Sequence, residues 1–272
     1  MGASVASVMA IVGARSIAEA VAAAAEAELV SAWANREAAS DGDRMVLTST
    51  GASFVYSSTV GDWVRPWVYA GTPILRARID GDQRPDSESP AWTITGSTLT
   101  GDASITSDGA SVTFDGGTSN SNYAFADIAT GGSDHQDHFM TGRFESVSFS
   151  DSSNFGSFSR VLYIFTGSTA SSPVAAVTLR QYTAGDVSML NWTPAEIGTQ
   201  YSTEVATTEC YLEIYVYGDT VWMYHDHAAQ PMSTAPLSLF PQDNRGPMYR
   251  IGDAATGGRA ASTVRELLAG EF

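Results

Sequence analysis

Lysine is missing from this chain of 272 residues: all fourteen basic residues are arginine, set against thirty acids for a net charge of −16. A surface of that sign repels phosphate backbones and anionic headgroups, so nucleic-acid and membrane-surface binding are excluded as expectations. Cysteine is almost absent. The lone Cys210 rules out a disulfide within the chain, and beside Tyr211 and Leu212 it reads as a small buried hydrophobe. Proline does not occur before Pro66. Long apolar runs are lacking too: the stretch 3–13 is too short to span a bilayer and precedes the first base, Arg15, so no secretion leader is expected. The N-myristoylation pattern fails because Ala6 stands where a hydroxyl residue is needed.

Histidine is scarce and paired. His135 and His138 fall in one short segment, and His225 and His227 flank Asp226. Serine-hydrolase and phosphate-loop spacings do not occur. Within 211–217 Glu213 is the only acid, flanked at the same-face positions by Tyr211 and Tyr215, so the paired carboxylates of a retaining glycosidase are not found on that strand. On these grounds the chain is expected not to be an enzyme.

What is present divides into three styles of sequence. Residues 4–39 are alanine-rich with one interior glycine, Gly13, and read as a helix roughly 50 Å long. Val5, Val8, Ile11, Ala18, Ala22, Ala25 and Leu29 lie along an apolar seam, which predicts oligomerisation or docking through 1–40. After Asp41-Gly42-Asp43 come short β-like runs at 45–48, 54–56, 63–64 and 67–69, punctuated by Gly51 and Gly61, a small β module over 41–80. The acidic stretch 81–90, with Pro85 and Pro90, reads as a linker. Residues 91–272 then alternate strands with Gly/Ser/Thr/Asp turns. The clearest strands are 144–149, 160–165, 175–181, 211–217 and 220–224, with a tight hairpin at Gly218-Asp219 and a short helical pattern over 264–268. The fold class is mainly β: a long N-terminal helix, a small meander and a C-terminal antiparallel sandwich.

Two family resemblances follow from these residues. The segments 43–47, 52–56 and 61–64 resemble a small β module of phage tail-fibre and virion appendage proteins. The run 211–219, then Val221-Trp222-Met223-Tyr224 and Tyr249-Arg250-Ile251-Gly252-Asp253, is similar to concanavalin A-like (laminin-G-like) jelly rolls, in which a last strand follows, here 263–267. Together they imply a virion structural protein, a tail fibre or spike made in the bacterial cytoplasm. It would form a homo-oligomer, expected to be a trimer, dock to other virion proteins and display a lectin-like head to host-surface polysaccharide. The alternatives are a capsid-decoration or tail component without glycan binding, and a carbohydrate-binding module or carbohydrate-active enzyme.

Candidate site residues follow the same patterns. Trp192, Tyr215, Tyr217, Trp222 and Tyr224 carry the ring types that stack on sugars, and they equally suit a sandwich core. His225 and His227, if both lie on one strand, share a face and are the candidate metal ligands. His135/His138 rank below them, and Asp134/Asp137 and Asp151/Asn154 match no defined calcium loop. No cofactor is required beyond such a structural ion.

Overall fold

Alternating side chains bounded by glycine turns build β-structure through most of the described residues. The computed structural model describes residues 28–31, 33–36, 39–96, 104–115, 123–129, 137–149, 161–166, 175–181, 188–194, 201–205, 209–231, 233–236, 248–254 and 260–272. Two compact units divide it, Met1–Thr72 and Pro73–Phe272.

The first unit holds a four-stranded sheet in the order β1 (Glu28–Val30), β2 (Arg44–Leu47), β3 (Ser53–Ser57), β4 (Asp62–Val64). Strand β1 runs parallel to β2, and the other pairs are antiparallel. Gly51 and Gly61 take positive φ in the two hairpin turns, where Gly51 N–H meets the Leu47 carbonyl and Gly61 N–H that of Ser57. Met45, Leu47, Phe54, Val55, Trp63 and Val68 are buried. Each such side chain contributes about 2 kcal/mol on leaving water. The Arg65 guanidinium lies 4.7 Å above the Phe54 ring, which keeps a buried charge against a π face.

Two expectations are corrected here. The predicted helix does not reach residue 39: residues 28–30 are a strand and Trp33–Asn35 a single 3-10 turn. Strand pairing and the packing of Trp33 on Phe54, centroids 4.9 Å apart, outweigh the helix propensity of that stretch. Of the seam residues, Val5, Val8, Ile11, Ala18, Ala22 and Ala25 lie outside the described residues, and Leu29 sits on β1, 71% exposed. The run 67–69 is not a strand but part of the short helix α1 (Pro66–Ala70). Pro66 fixes the helical φ at its first turn after the extended Arg65.

The second unit is an antiparallel sandwich. Among the described residues one sheet has the order β17 (Ser233–Pro236), β16 (Thr220–His225), β15 (Glu209–Tyr217), β10 (His138–Phe149), β19 (Ala260–Glu271), β8 (Val112–Asp115), β7 (Ser104–Ser107), with β5 (Ile74–Ile79) also paired to β19. The other sheet runs β14 (Tyr201–Val205), β13 (Ser188–Pro194), β12 (Ala175–Gln181), β11 (Val161–Thr166), β18 (Met248–Ala254), β9 (Tyr123–Ala129), β6 (Thr93–Gly96). The 264–268 segment lies within β19 and is extended, not helical.

The stretch expected to be a linker is also folded into this unit. Strand β5 lies next to β19, with Ile79 opposite Leu267. Trp92 Nε1 donates to the Arg78 carbonyl at 2.9 Å, and the buried Glu88 accepts from Asp80 N–H and Gln83 Nε2. The boundary therefore falls after Thr72, ahead of the polar stretch, because 73–92 pairs and packs rather than spacing two bodies. A Cβ on Gly270 would strike the Ile74 carbonyl oxygen and the Phe139 ring, so β19 passes beneath that ring only as glycine.

Candidate functional site

Strand β15 stands near the middle of its sheet, between β10 and β16. Leu212, Ile214 and Val216 make one face aliphatic, matched by Met140 on β10 and by Val221 and Met223 on β16. The opposite face is aromatic and polar. It carries Tyr211, Glu213, Tyr215 and Tyr217 on β15, Phe139, Thr141 and Arg143 on β10, and Trp222 and Tyr224 on β16.

Glu213 is the centre of that face and is 1% exposed. Its Oε2 accepts the Tyr215 hydroxyl at 2.6 Å, and its Oε1 lies 3.5 Å from Nδ1 of His227, itself 7% exposed. The His227 ring lies over that of Tyr211, centroids 3.8 Å apart at 33°. A carboxylate, an imidazole and two phenols thus meet within one buried cluster, where electrostatic coupling is stronger than in water.

A turn puts His227 there. Strand β16 ends at His225, and Asp226 and His227 both take left-handed backbone, φ 46° and 55°, closed by Ala228 N–H on the His225 carbonyl at 3.0 Å. Two successive non-glycine residues in that region cost of order 1 kcal/mol each and need holding. Asp226 does the holding: its N–H donates to the Tyr211 carbonyl at 2.8 Å, and its Oδ1 accepts Tyr211 N–H at 2.9 Å. Burial keeps the His225 imidazole below its ordinary pKa of 6.5, opposed by the Asp226 carboxylate 3.2 Å from its Nε2.

The shared strand face expected of the His225/His227 pair does not form. His225 closes a strand while His227 belongs to the turn beyond it, so the two do not share a strand face. Among the described residues no group of three or more His, Cys, Asp or Glu side chains is placed to hold a metal ion. His135 lies outside the described residues, and His138 is buried at the start of β10, opposite Val216 and Glu271. Asp137 Oδ1 accepts Gly218 N–H at 2.8 Å; Asp134, Asp151 and Asn154 are outside the described residues.

Four of the five sugar-stacking candidates, Tyr215, Tyr217, Trp222 and Tyr224, lie on the Glu213 face of β15 and β16, and one does not. Trp192 is on β13, in the other sheet, opposite Tyr201. Tyr215 and Tyr224 are buried, at 2% and 4%, and present no ring face to solvent. Tyr217 and Trp222 are half-buried on the Glu213 face. Trp222 Nε1 is buried and makes no hydrogen bond among the described residues, leaving a donor aimed from the same face as Glu213. The sequence reading noted Glu213 but missed its partnership with His227, because continued strand alternation beyond His225 would have placed His227 elsewhere.

No family model matches this chain, and no curated protein matches it. Solved structures do. An endo-1,3-β-glucanase from Streptomyces sioyaensis has a TM-score of 0.51 at 10% identity, over 74% of this chain and 96% of its own. A carbohydrate esterase of the Shiga toxin-encoding bacteriophage phi24B scores 0.49 at 14% identity, over 73% and 99%. A marine alginate lyase from Zobellia galactanivorans scores 0.47 at 14% identity, over 64% and 83%. The glucanase match shows the fold, a concanavalin-like jelly roll, in agreement with the resemblance drawn from 211–224 and 249–253. It also corrects the expectation of a non-enzyme. That exclusion rested on one strand's carboxylate spacing and on the lack of serine-hydrolase and phosphate-loop spacings, and the similar structure with the same fold is an enzyme.

Proposed function

We propose that this chain is a carbohydrate-active protein whose Pro73–Phe272 unit takes up a polysaccharide on the Glu213 face and cleaves it, Glu213 protonating the leaving oxygen while water adds to the carbon or, in a uronate, the C5 proton is lost. The observation that carries the reading is the buried Glu213, held at 2.6 Å from a phenol and 3.5 Å from an imidazole that a left-handed turn puts in place. Carboxyl, imidazole and phenol are the groups proteins use to give and take protons at a scissile bond. Tyr211 and Tyr215 occupy the same-face positions beside Glu213, so a carboxylate nucleophile on that strand is not part of the proposal. Glu213 serves as the acid, His227 as its proton partner, and Tyr215 fixes the carboxyl.

A neutral β-1,3-glucan is the first substrate to try, in keeping with what the similar glucanase is named for. The polysaccharide partner named from the sequence is retained in this proposal.

The test is an assay of the full chain on a neutral β-1,3-glucan, a polyuronate and an O-acetylated polysaccharide. New reducing ends, unsaturated uronate and released acetate are read separately. The reading predicts turnover of one of the three with loss on Glu213→Gln. Neither turnover nor binding of any of them would sink it.

A further inference from the structure

The Glu213 face continues past Tyr215 into a region that the proposed chemistry does not use. Five rings touch in sequence there. Tyr224 meets Tyr215 at 5.9 Å, Tyr215 meets Phe139 at 6.4 Å, Phe139 meets Phe272 at 6.3 Å, and Phe272 meets Tyr217 at 5.7 Å. The row begins in the core, with Tyr224, Tyr215 and Phe139 buried, and surfaces at Tyr217 and Phe272, which are half-exposed. Its geometry changes on the way out. The inner contacts are tilted or edge-on, whereas Tyr217 and Phe272 stack at 21° and form a flat two-ring step.

Asp137 frames that step. Its carbonyl accepts Phe272 N–H at 3.0 Å, and its carboxylate Oδ1 accepts the N–H of Gly218, next to Tyr217, at 2.8 Å. Aromatic rings and a fixed acceptor are thereby brought together where β10 begins and β15 and β19 end. A pyranose has the complementary character: an apolar C–H face for a ring and hydroxyls for a carboxylate.

We infer that Tyr217, Phe272 and Asp137 form an outlying subsite for a pyranose ring of the polysaccharide, at the surface end of the aromatic row that starts beside Glu213. The inference rests on the proposed function and extends it. Four residue steps of extended strand lead from Glu213 to Tyr217, roughly 14 Å. A short oligosaccharide spans that distance, so longer chains engage both places and the shortest ones only the centre. The subsite therefore governs chain-length preference and leaves proton transfer at Glu213 untouched.

Calorimetric titration of the full chain with β-1,3-gluco-oligosaccharides and polyuronate oligosaccharides of increasing length tests this. Affinity for the long members should fall about five- to tenfold in Tyr217→Ala, as loss of one ring contact predicts, with the shortest members unchanged. Tyr217→Phe keeps the stack and should bind like the unaltered chain. Phe272→Leu, which keeps apolar bulk, serves as the second variant where Tyr217→Ala unfolds, and should show the same length-dependent loss. Binding that is unchanged in Tyr217→Ala or Phe272→Leu at every length, or weakened equally at every length, overturns the subsite alone. No binding of either series by the unaltered chain overturns the subsite, and no binding of the O-acetylated polysaccharide besides overturns the polysaccharide reading with it.

Discussion

At the scale of single residues, the two-residue turn after β16 decides the site. Asp226 and His227 occupy backbone that L-residues enter reluctantly, and two hydrogen bonds to Tyr211 hold them there. Asp226→Ala removes the acceptor and a residue type tolerant of that backbone. It should lower unfolding free energy by about 1–2 kcal/mol in urea titrations. Asp226→Asn keeps both properties and should cost clearly less. The neighbouring His225 gives a pH dependence of definite sign. Its folded pKa is held below 6.5 by burial, so as pH falls the unfolded chain takes up the proton first. Stability from this group is full above that value and is lost as pH drops toward the folded pKa. Unfolding titrations at about pH 7.5 and 5.5 should show a loss that His225→Gln reduces. Little of this was legible in the sequence. Glu213 stood out as an acid between tyrosines, but nothing in a His-Asp-His tripeptide signals that the chain turns left-handed after the first histidine.

At the scale of elements, local pattern was informative for strands such as β12, β15 and β16, which pair with a chain neighbour. Strand β12 coincides with the expected 175–181, and the Gly218-Asp219 turn joins β15 to β16 as glycine-aspartate turns do. Pattern failed where a partner far away in the chain decides the outcome. The final strand carries Leu267, Leu268 and Ala269, a helix-like grouping, yet both its edges are taken by β10 and β5. The Arg76 guanidinium bonds the buried Glu271 carboxylate across 195 residues at 2.8 Å, a pairing that no local window can reveal. For the same reason 81–90 looked like a linker: its polar groups bond Asp80, Ser107 and one another. Gly270 reports how tight the β5–β19–β10 junction is. A methyl there sits 2.8 Å from Phe139 ring carbons and closer still to the Ile74 carbonyl. Gly270→Ala should therefore destabilise by about 1–3 kcal/mol, visible as a lower denaturation midpoint with an unchanged slope.

At the scale of the whole molecule, charge and fold bear on what the face can receive. A net charge of −16 with no lysine opposes the approach of polyanions and leaves neutral chains unaffected. Uptake of a neutral glucan should be insensitive to salt between about 0.05 and 0.5 M, whereas uptake of a polyuronate should rise as the repulsion is screened. Binding isotherms at the two ionic strengths check this. The mainly β character and the jelly roll were readable from the many short strands and their turns. The long helix was a reasonable inference from alanine content, yet within its last third 28–30 is strand and Trp33–Asn35 a 3-10 turn, with Val30 buried and Trp33 packed on Phe54. The sequence carries neither paired carboxylates on one strand nor serine-hydrolase or phosphate-loop spacings, while the cluster that forms draws its second group from a turn.

Product release from polysaccharide by the unaltered chain and by Glu213→Gln, followed side by side at neutral pH, is the most direct measure of that cluster. Amide for carboxylate keeps the shape of the side chain and removes its proton chemistry. A rate at least a hundredfold lower in Glu213→Gln, with polysaccharide binding retained, is what general acid–base catalysis at this position predicts. Equal rates in the two proteins, at equal stability, would contradict it.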